Sequence, residues 1–172
     1  ASADLDGDGD LDVLSASRLD NKIAWYANDG LGGFGPQQVI SPLGSFGAYC
    51  VASADLDGDG DLDVLSASLS QQPTTKVAWY ANDGAGGFGP QQVISTPGAR
   101  CVATADVDGD GDLDVLSSSG AAVVSFANDG SGGFGPEQVI STLVNGVFSI
   151  ASADLDGDGD LDVLSASYGD DK

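Results

Sequence analysis

A nine-residue string, Asp-x-Asp-Gly-Asp-Gly-Asp-Leu-Asp, occurs four times in this chain, starting at Asp4, Asp55, Asp106 and Asp154. The spacings are 51, 51 and 48 residues. Around it, ASADLDGDGDLDVLSAS is repeated without change at 1–17, 52–68 and 151–167, and a near copy runs over 103–119. A second unit, AWYANDG followed by GGFGPQQVIS, alternates with the first at 24–41 and 78–95, with a variant at 125–141. A period near 50 means that one supersecondary unit is stacked on copies of itself, as in propeller blades or another stacked-repeat architecture.

The second repeat is complete and gives the pattern. Tyr49 to Ala54 is a short β-prone run, the aspartate loop follows, and Val64 to Ser68 is the return strand. Lys76 to Ala81 alternates, with Val77, Trp79 and Ala81 on one face and Ala78 and Tyr80 on the other, which is the period of a strand. Asn82-Asp83-Gly84 reads as a tight hairpin turn. Phe88 to Ser95 is the fourth strand, its early Pro90 suiting an edge. No segment carries a helical period. The expected class is all-β, with blades of four antiparallel strands: three blades at 1–41, 48–95 and 99–141, and the first half of a fourth at 147–172. The sequence stops at Asp170-Asp171-Lys172, where a third strand is due, contains no methionine and opens in mid-pattern at Ala1. It reads as a piece of a larger propeller or repeat array.

The 27 acidic residues against 5 basic ones and no histidine give a formal charge of −22. Such a chain repels nucleic acid and anionic lipid. No run approaches the roughly 18 apolar residues of a membrane span, and no signal-peptide pattern is present at the start. Yet 41% hydrophobic content suits a folded domain with a core, and 20 of the 27 acids fall in the four loops. Such dense clusters call for a cation.

Oxygen donors at alternate positions of a tightly turned loop converge on one point, and glycines allow the turn. In calcium loops of this spacing, positions one, three, five and nine give carboxylate oxygens and position seven its backbone carbonyl. The expected ligands are therefore the side chains of Asp4, Asp6, Asp8 and Asp12, with Asp10 through its main chain. The same holds for Asp55, Asp57, Asp59 and Asp63 with Asp61; for Asp106, Asp108, Asp110 and Asp114 with Asp112; and for Asp154, Asp156, Asp158 and Asp162 with Asp160. An all-oxygen set without thiolate or imidazole selects calcium over zinc, copper or iron, and magnesium is disfavoured because it keeps its waters. One Ca2+ per loop, about four in all, would offset eight of the 22 negative charges. An EF-hand is excluded, because its position twelve is acidic and here it is Ser15, Ser66, Ser117 or Ser165, and the flanking Val-Leu-Ser favours a strand. Solvated acidic turns would not need two glycines in fixed register four times.

The loop, followed about 30 residues on by Phe-Gly as in Phe34-Gly35, resembles the FG-GAP and VCBS repeats of integrin α-subunit propellers and of many secreted microbial and algal proteins. The resemblance covers essentially the whole chain. It implies a β-propeller, commonly seven-bladed, with calcium in the hairpin between the first two strands of a blade, and roles in adhesion, glycan recognition, or as non-catalytic modules of secreted enzymes and surface fibres. The Gly-Ala-Pro element is missing, which places the chain nearer the VCBS branch and leaves integrin-like ligand binding behind.

Other signals have bland readings beside sharper ones. Gly30-Leu31-Gly32-Gly33-Phe34-Gly35 has dinucleotide-loop spacing but precedes Pro36 and a strand, where a phosphate loop must open a helix. Trp25 with Tyr26 and Trp79 with Tyr80 can be sugar-stacking platforms or core. Cys50 and Cys101, equivalent in successive repeats, are either small residues on neighbouring inner strands or a disulfide between blades. No histidine, no Gly-x-Ser-x-Gly and no uncommitted carboxylate pair is present, so an enzyme is not expected. No Asn-x-Ser/Thr acceptor exists, although serines leave O-linked sugars open. The expected function is an extracellular or cell-surface calcium-binding module for adhesion or for glycan or protein recognition, presenting the loops Arg18 to Asn21, Leu69 to Thr75 and Pro97 to Arg100. The alternatives are a building block of a filament or surface array, partnered by further copies of the repeat, and the accessory arm of a secreted enzyme.

Overall fold

The computed structural model describes residues 1–42, 47–69, 76–95, 99–144 and 146–169. Fourteen strands and no helix are formed among them. Strands β1 (Ser2–Ala3), β2 (Asp12–Ser17), β3 (Lys22–Tyr26) and β4 (Gln38–Pro42) make the first sheet. The second holds β5 (Gly47–Ala54), β6 (Asp63–Leu69), β7 (Lys76–Tyr80) and β8 (Gln92–Ser95). The third holds β9 (Val102–Ala105), β10 (Asp114–Ser119), β11 (Ala122–Phe126) and β12 (Gln138–Ser141), and β13 (Val147–Ala153) pairs with β14 (Asp162–Ser167) in the fourth. Each sheet is an antiparallel meander with neighbours in chain order. These are three propeller-like blades and one pair of strands, stacked in sequence and not closed into a ring.

Period-two alternation builds the stack, because a sheet between two others must be apolar on both faces. On β7, Val77 and Trp79 join the core shared with the third sheet, beside Val102, Val115, Val124 and Phe126. Tyr80, on the opposite face, joins Leu14, Ile23 and Trp25 in the core shared with the first sheet. A third core, with Cys101, Leu116, Val123, Val147 and Ile150, seats the fourth pair. The Phe-Gly phenylalanine works across the seam: Phe134 meets Trp79 edge-on at 6.4 Å, and Phe88 packs on the core that holds Trp25.

Two local expectations change. The fourth strand begins at Gln92 rather than Phe88, because Pro90 cannot donate to the ladder; Phe88 instead makes an isolated bridge to Asn82. Asn82-Asp83-Gly84 is likewise not a two-residue turn. It opens a longer loop in which Asp83 N–H donates to the Gly87 carbonyl and Gly89 N–H to the Ala81 carbonyl, at 3.0 and 2.8 Å. The Asp83 carboxylate accepts from Ala85 and Gly87 N–H, and those bonds hold it below the usual carboxylate range. The residues 70–75 and 97–98 of the variable loops and Asp170-Asp171-Lys172 lie outside the described residues.

Trp25 and Trp79 are each 3% exposed, so they are inter-blade core and not sugar platforms. Gly86 shows how closely the next blade approaches: it has φ +75°, and a Cβ there would sit 2.5 Å from Trp25 Cζ2. Gly86→Ala is therefore expected to cost about 2 kcal/mol, from left-handed strain plus overpacking, read as a lower urea midpoint. Gly9, with φ +92° but open space around it, should lose about 1 kcal/mol as alanine.

Candidate metal centres

Each aspartate loop joins the first and second strands of its sheet, so the four loops lie in a row at one end of the stack. Their first aspartate folds the loop. Asp4 accepts Gly7 N–H on Oδ1 at 2.9 Å and Gly9 N–H on Oδ2 at 3.0 Å, and Asp55, Asp106 and Asp154 do the same for their own glycines. The fifth position adds an Asx turn, Asp8 Oδ1 accepting Asp10 N–H at 2.9 Å, as Asp59, Asp110 and Asp158 do. Both glycines of every loop have positive φ, from 74° to 100°, which explains the fixed Gly-x-Gly register.

The carboxylates converge in threes. Oxygens of Asp4, Asp6 and Asp8 lie within 4.8 Å of one another, as do those of Asp55, Asp57 and Asp63, of Asp106, Asp108 and Asp114, and of Asp154, Asp156 and Asp162. Positions one and three therefore meet in all four loops, the third partner being position five in the first loop and position nine in the others. The carboxylates of Asp10, Asp61, Asp112 and Asp160 stand outside these groups, and those of Asp10, Asp61 and Asp112 lie over Gly30, Gly84 and Gly130. Those aspartates had been expected to act through the main chain.

Position nine has a second task. Asp63 is fully buried; its Oδ2 accepts Leu56 N–H and its Oδ1 accepts Asn82 N–H, both at 2.9 Å. Asp12 and Asp114 bind Leu5 and Asn28, and Val107 and Asn128, in the same way. This aspartate ties the loop to the third strand of its own blade.

Two of the centres hold an orphaned oxygen. The Oδ1 atoms of Asp6 and Asp57 are buried without a hydrogen-bond partner, a state that costs several kcal/mol for a charged oxygen. Burial, then the neighbouring carboxylates, pushes Asp6, Asp57 and Asp108 above the usual range. Burial pushes Asp63 up to about 6 against the pull of its two amide donors. A hard divalent ion satisfies the orphan oxygens and removes the repulsion together, so the donor set fits Ca2+.

The Asp63 shift sets a pH dependence for calcium-free protein. A carboxyl whose folded value stands above its unfolded 3.8 favours folding in its neutral form, and that contribution is lost as pH rises through about 6. Stability in EGTA should therefore rise by about 1 kcal/mol between pH 7 and pH 5, whereas calcium affinity falls as protons compete. Urea midpoints in EGTA at the two pH values check this; a lower midpoint at pH 5 contradicts it.

The asparagine of Asn-Asp-Gly is the residue that sequence reasoning missed. Asn82 Nδ2 donates to the Leu62 carbonyl of its own loop and to the Leu5 carbonyl of the preceding blade's loop, at 3.0 and 2.9 Å. Asn128 repeats this with Leu113 and Leu56. Gly7 lies under the Gly84 carbonyl and Gly58 under that of Gly130, each too close for a Cβ. The seams between the first and second and between the second and third blades thus close over the preceding aspartate loop. The available signal was the asparagine at a fixed place in all three copies, while the residue after the glycine varies among Leu31, Ala85 and Ser131.

All-β blades stacked in series, each with an acidic hairpin at the same end, define a propeller-type repeat protein. The FG-GAP-like repeat profile matches residues 4–66, 55–117 and 106–165, and the chain belongs to that family. No curated protein matches it. Among solved structures it is similar to a lectin of Agrocybe aegerita, described for its specific recognition of non-reducing terminal N-acetylglucosamine. The identity is 22% and the TM-score 0.64, over 95% of this chain and 45% of the lectin. It is also similar to the V. cholerae biofilm matrix protein Bap1, at 23% identity and TM-score 0.54, over 96% of this chain and 23% of that one. The chain thus spans less than half of either structure, and at these identities the likeness is one of fold. No helix among the described residues is long and apolar enough to cross a membrane.

Proposed function

We propose that the chain is a non-catalytic, calcium-binding β-propeller module that recognises a glycan or protein outside the cell, nearest in kind to the VCBS branch of its family. The observation that carries this reading is the recurrence of a carboxylate triad in all four loops, each built into the hairpin that positions its blade. Chemistry repeated in that way holds a shape, and the shape is what a binding module supplies. Calcium at millimolar levels outside cells suits sites of this class, which supports an extracellular or cell-surface location.

The opposite end of the blades offers contacts. Arg18 is exposed and lies over the Tyr49 ring at 5.2 Å, and Arg100 lies over Phe148 at 5.8 Å. Guanidinium donors beside aromatic faces suit sugar hydroxyls and C–H faces, and a structural neighbour is a lectin. A glycan array that includes N-acetylglucosamine-terminated chains, probed in calcium and again in EGTA, tests the proposal. Calcium-dependent binding to a defined glycan set is expected, and no calcium-dependent glycan or protein ligand at all contradicts it.

The second reading is a building block of a surface filament or array. Three unchanged copies of a 17-residue segment and the likeness to a biofilm matrix protein favour it. Electron microscopy of the native material separates filaments from free modules.

A further inference from the structure

We propose that Cys50 and Cys101 form an intramolecular disulfide that staples the second sheet to the third. Cys50 lies on β5 and Cys101 directly precedes β9, the first strands of adjacent blades, and both side chains turn into one seam. Cys50 Sγ donates to the Val102 carbonyl at 3.6 Å, and Cys101 Sγ lies 3.9 Å from the same oxygen. Cys101 is held in place from the far side, where its sulfur accepts Ile150 N–H of β13 at 3.2 Å. Three successive blades therefore meet at the two sulfurs.

The pair is asymmetric in a way that orders the chemistry. Cys50 is half-buried and Cys101 buried, so an incoming reagent reaches Cys50 first. The neighbouring Cys101 lowers the Cys50 thiol from its ordinary range, and the neighbouring Cys50 together with burial raises that of Cys101. Cys50, the more accessible thiol and the readier to ionise, is the nucleophile. With a small-molecule disulfide such as oxidised glutathione as oxidant, the Cys50 thiolate attacks one glutathione sulfur and releases one glutathione thiolate. Cys101 gives its proton to that thiolate and attacks Cys50 Sγ, expelling the second glutathione. Two protein thiols are oxidised and one glutathione disulfide is reduced to two thiols. The product joins blades independently of the aspartate loops, the nearest of which begins beyond Ala54 at the end of β5.

The test uses the full chain, loaded with calcium, exposed to oxidised glutathione, quenched with N-ethylmaleimide and digested with trypsin without reduction. Cleavage after Lys22, Lys76 and Arg100 places the cysteines on peptides 23–76 and 101–172. The expected result is a linked pair of these peptides, no remaining free thiol, and formation at least about tenfold faster than in urea with EGTA, because the folded seam raises the effective thiol concentration. In Cys50→Ser, Cys101 should stay unreacted until unfolded. Two free thiols after oxidation, a lasting glutathione adduct on Cys50, a link between two chains, or a link formed only in urea each overturns the proposal.

Discussion

Removing calcium with EGTA is expected to lower the melting temperature by roughly 10–20 °C. A site of the extracellular class, held at about tenfold excess of calcium over its dissociation constant, stabilises the fold by about 1.4 kcal/mol. Four such loops sum to about 5–6 kcal/mol, and each kcal/mol moves the melting point of a chain this size by roughly 2–4 °C. The effect is large because an ion in these loops would do two things at once: satisfy the buried oxygens of Asp6 and Asp57 and cancel repulsion within each triad. Scanning calorimetry in calcium and in EGTA reads the shift directly. Identical melting points contradict the account.

Asp63→Asn should have a larger effect than loss of any aspartate outside position nine, at about 2–4 kcal/mol in calcium. The carboxylate accepts Leu56 N–H with one oxygen and Asn82 N–H with the other. An asparagine can accept one of these and must turn its own N–H2 toward the second, leaving a buried donor unpaired. The second triad also loses a member. In EGTA the loss should be smaller, because the neutral amide removes a carboxylate that burial already disfavours. Asp61→Asn is the control: its side chain lies outside the triad, and a change within about 0.5 kcal/mol is expected. Urea titrations of both variants, each with calcium and with EGTA, measure the differences. Equal losses for Asp61→Asn and Asp63→Asn would remove position nine from its place in the account.

The blade was readable from sequence where its causes are local. Alternation on Lys76–Tyr80 and positive φ at Gly7 and Gly9 follow from neighbouring residues alone. What remained hidden depends on residues far apart in the chain. Asn82 reaches Leu5 across 77 positions, and no local rule separates an asparagine that clasps another blade from one that only turns a hairpin. Trp25 likewise reads as an aromatic on a strand until Gly86 and Phe88 of the next blade cover it. Position nine was equally opaque, since the spacing that brings Asp63 to its carboxylate triad also delivers it to two backbone amides.

Isothermal titration of calcium into decalcified protein bears most directly on the central claim. The account predicts four ions per chain, one for each carboxylate triad, with binding weakened as pH falls toward 5. Absence of binding at millimolar calcium, or an unchanged stoichiometry after Asp6, Asp57, Asp108 and Asp156 are all made asparagine, would contradict it.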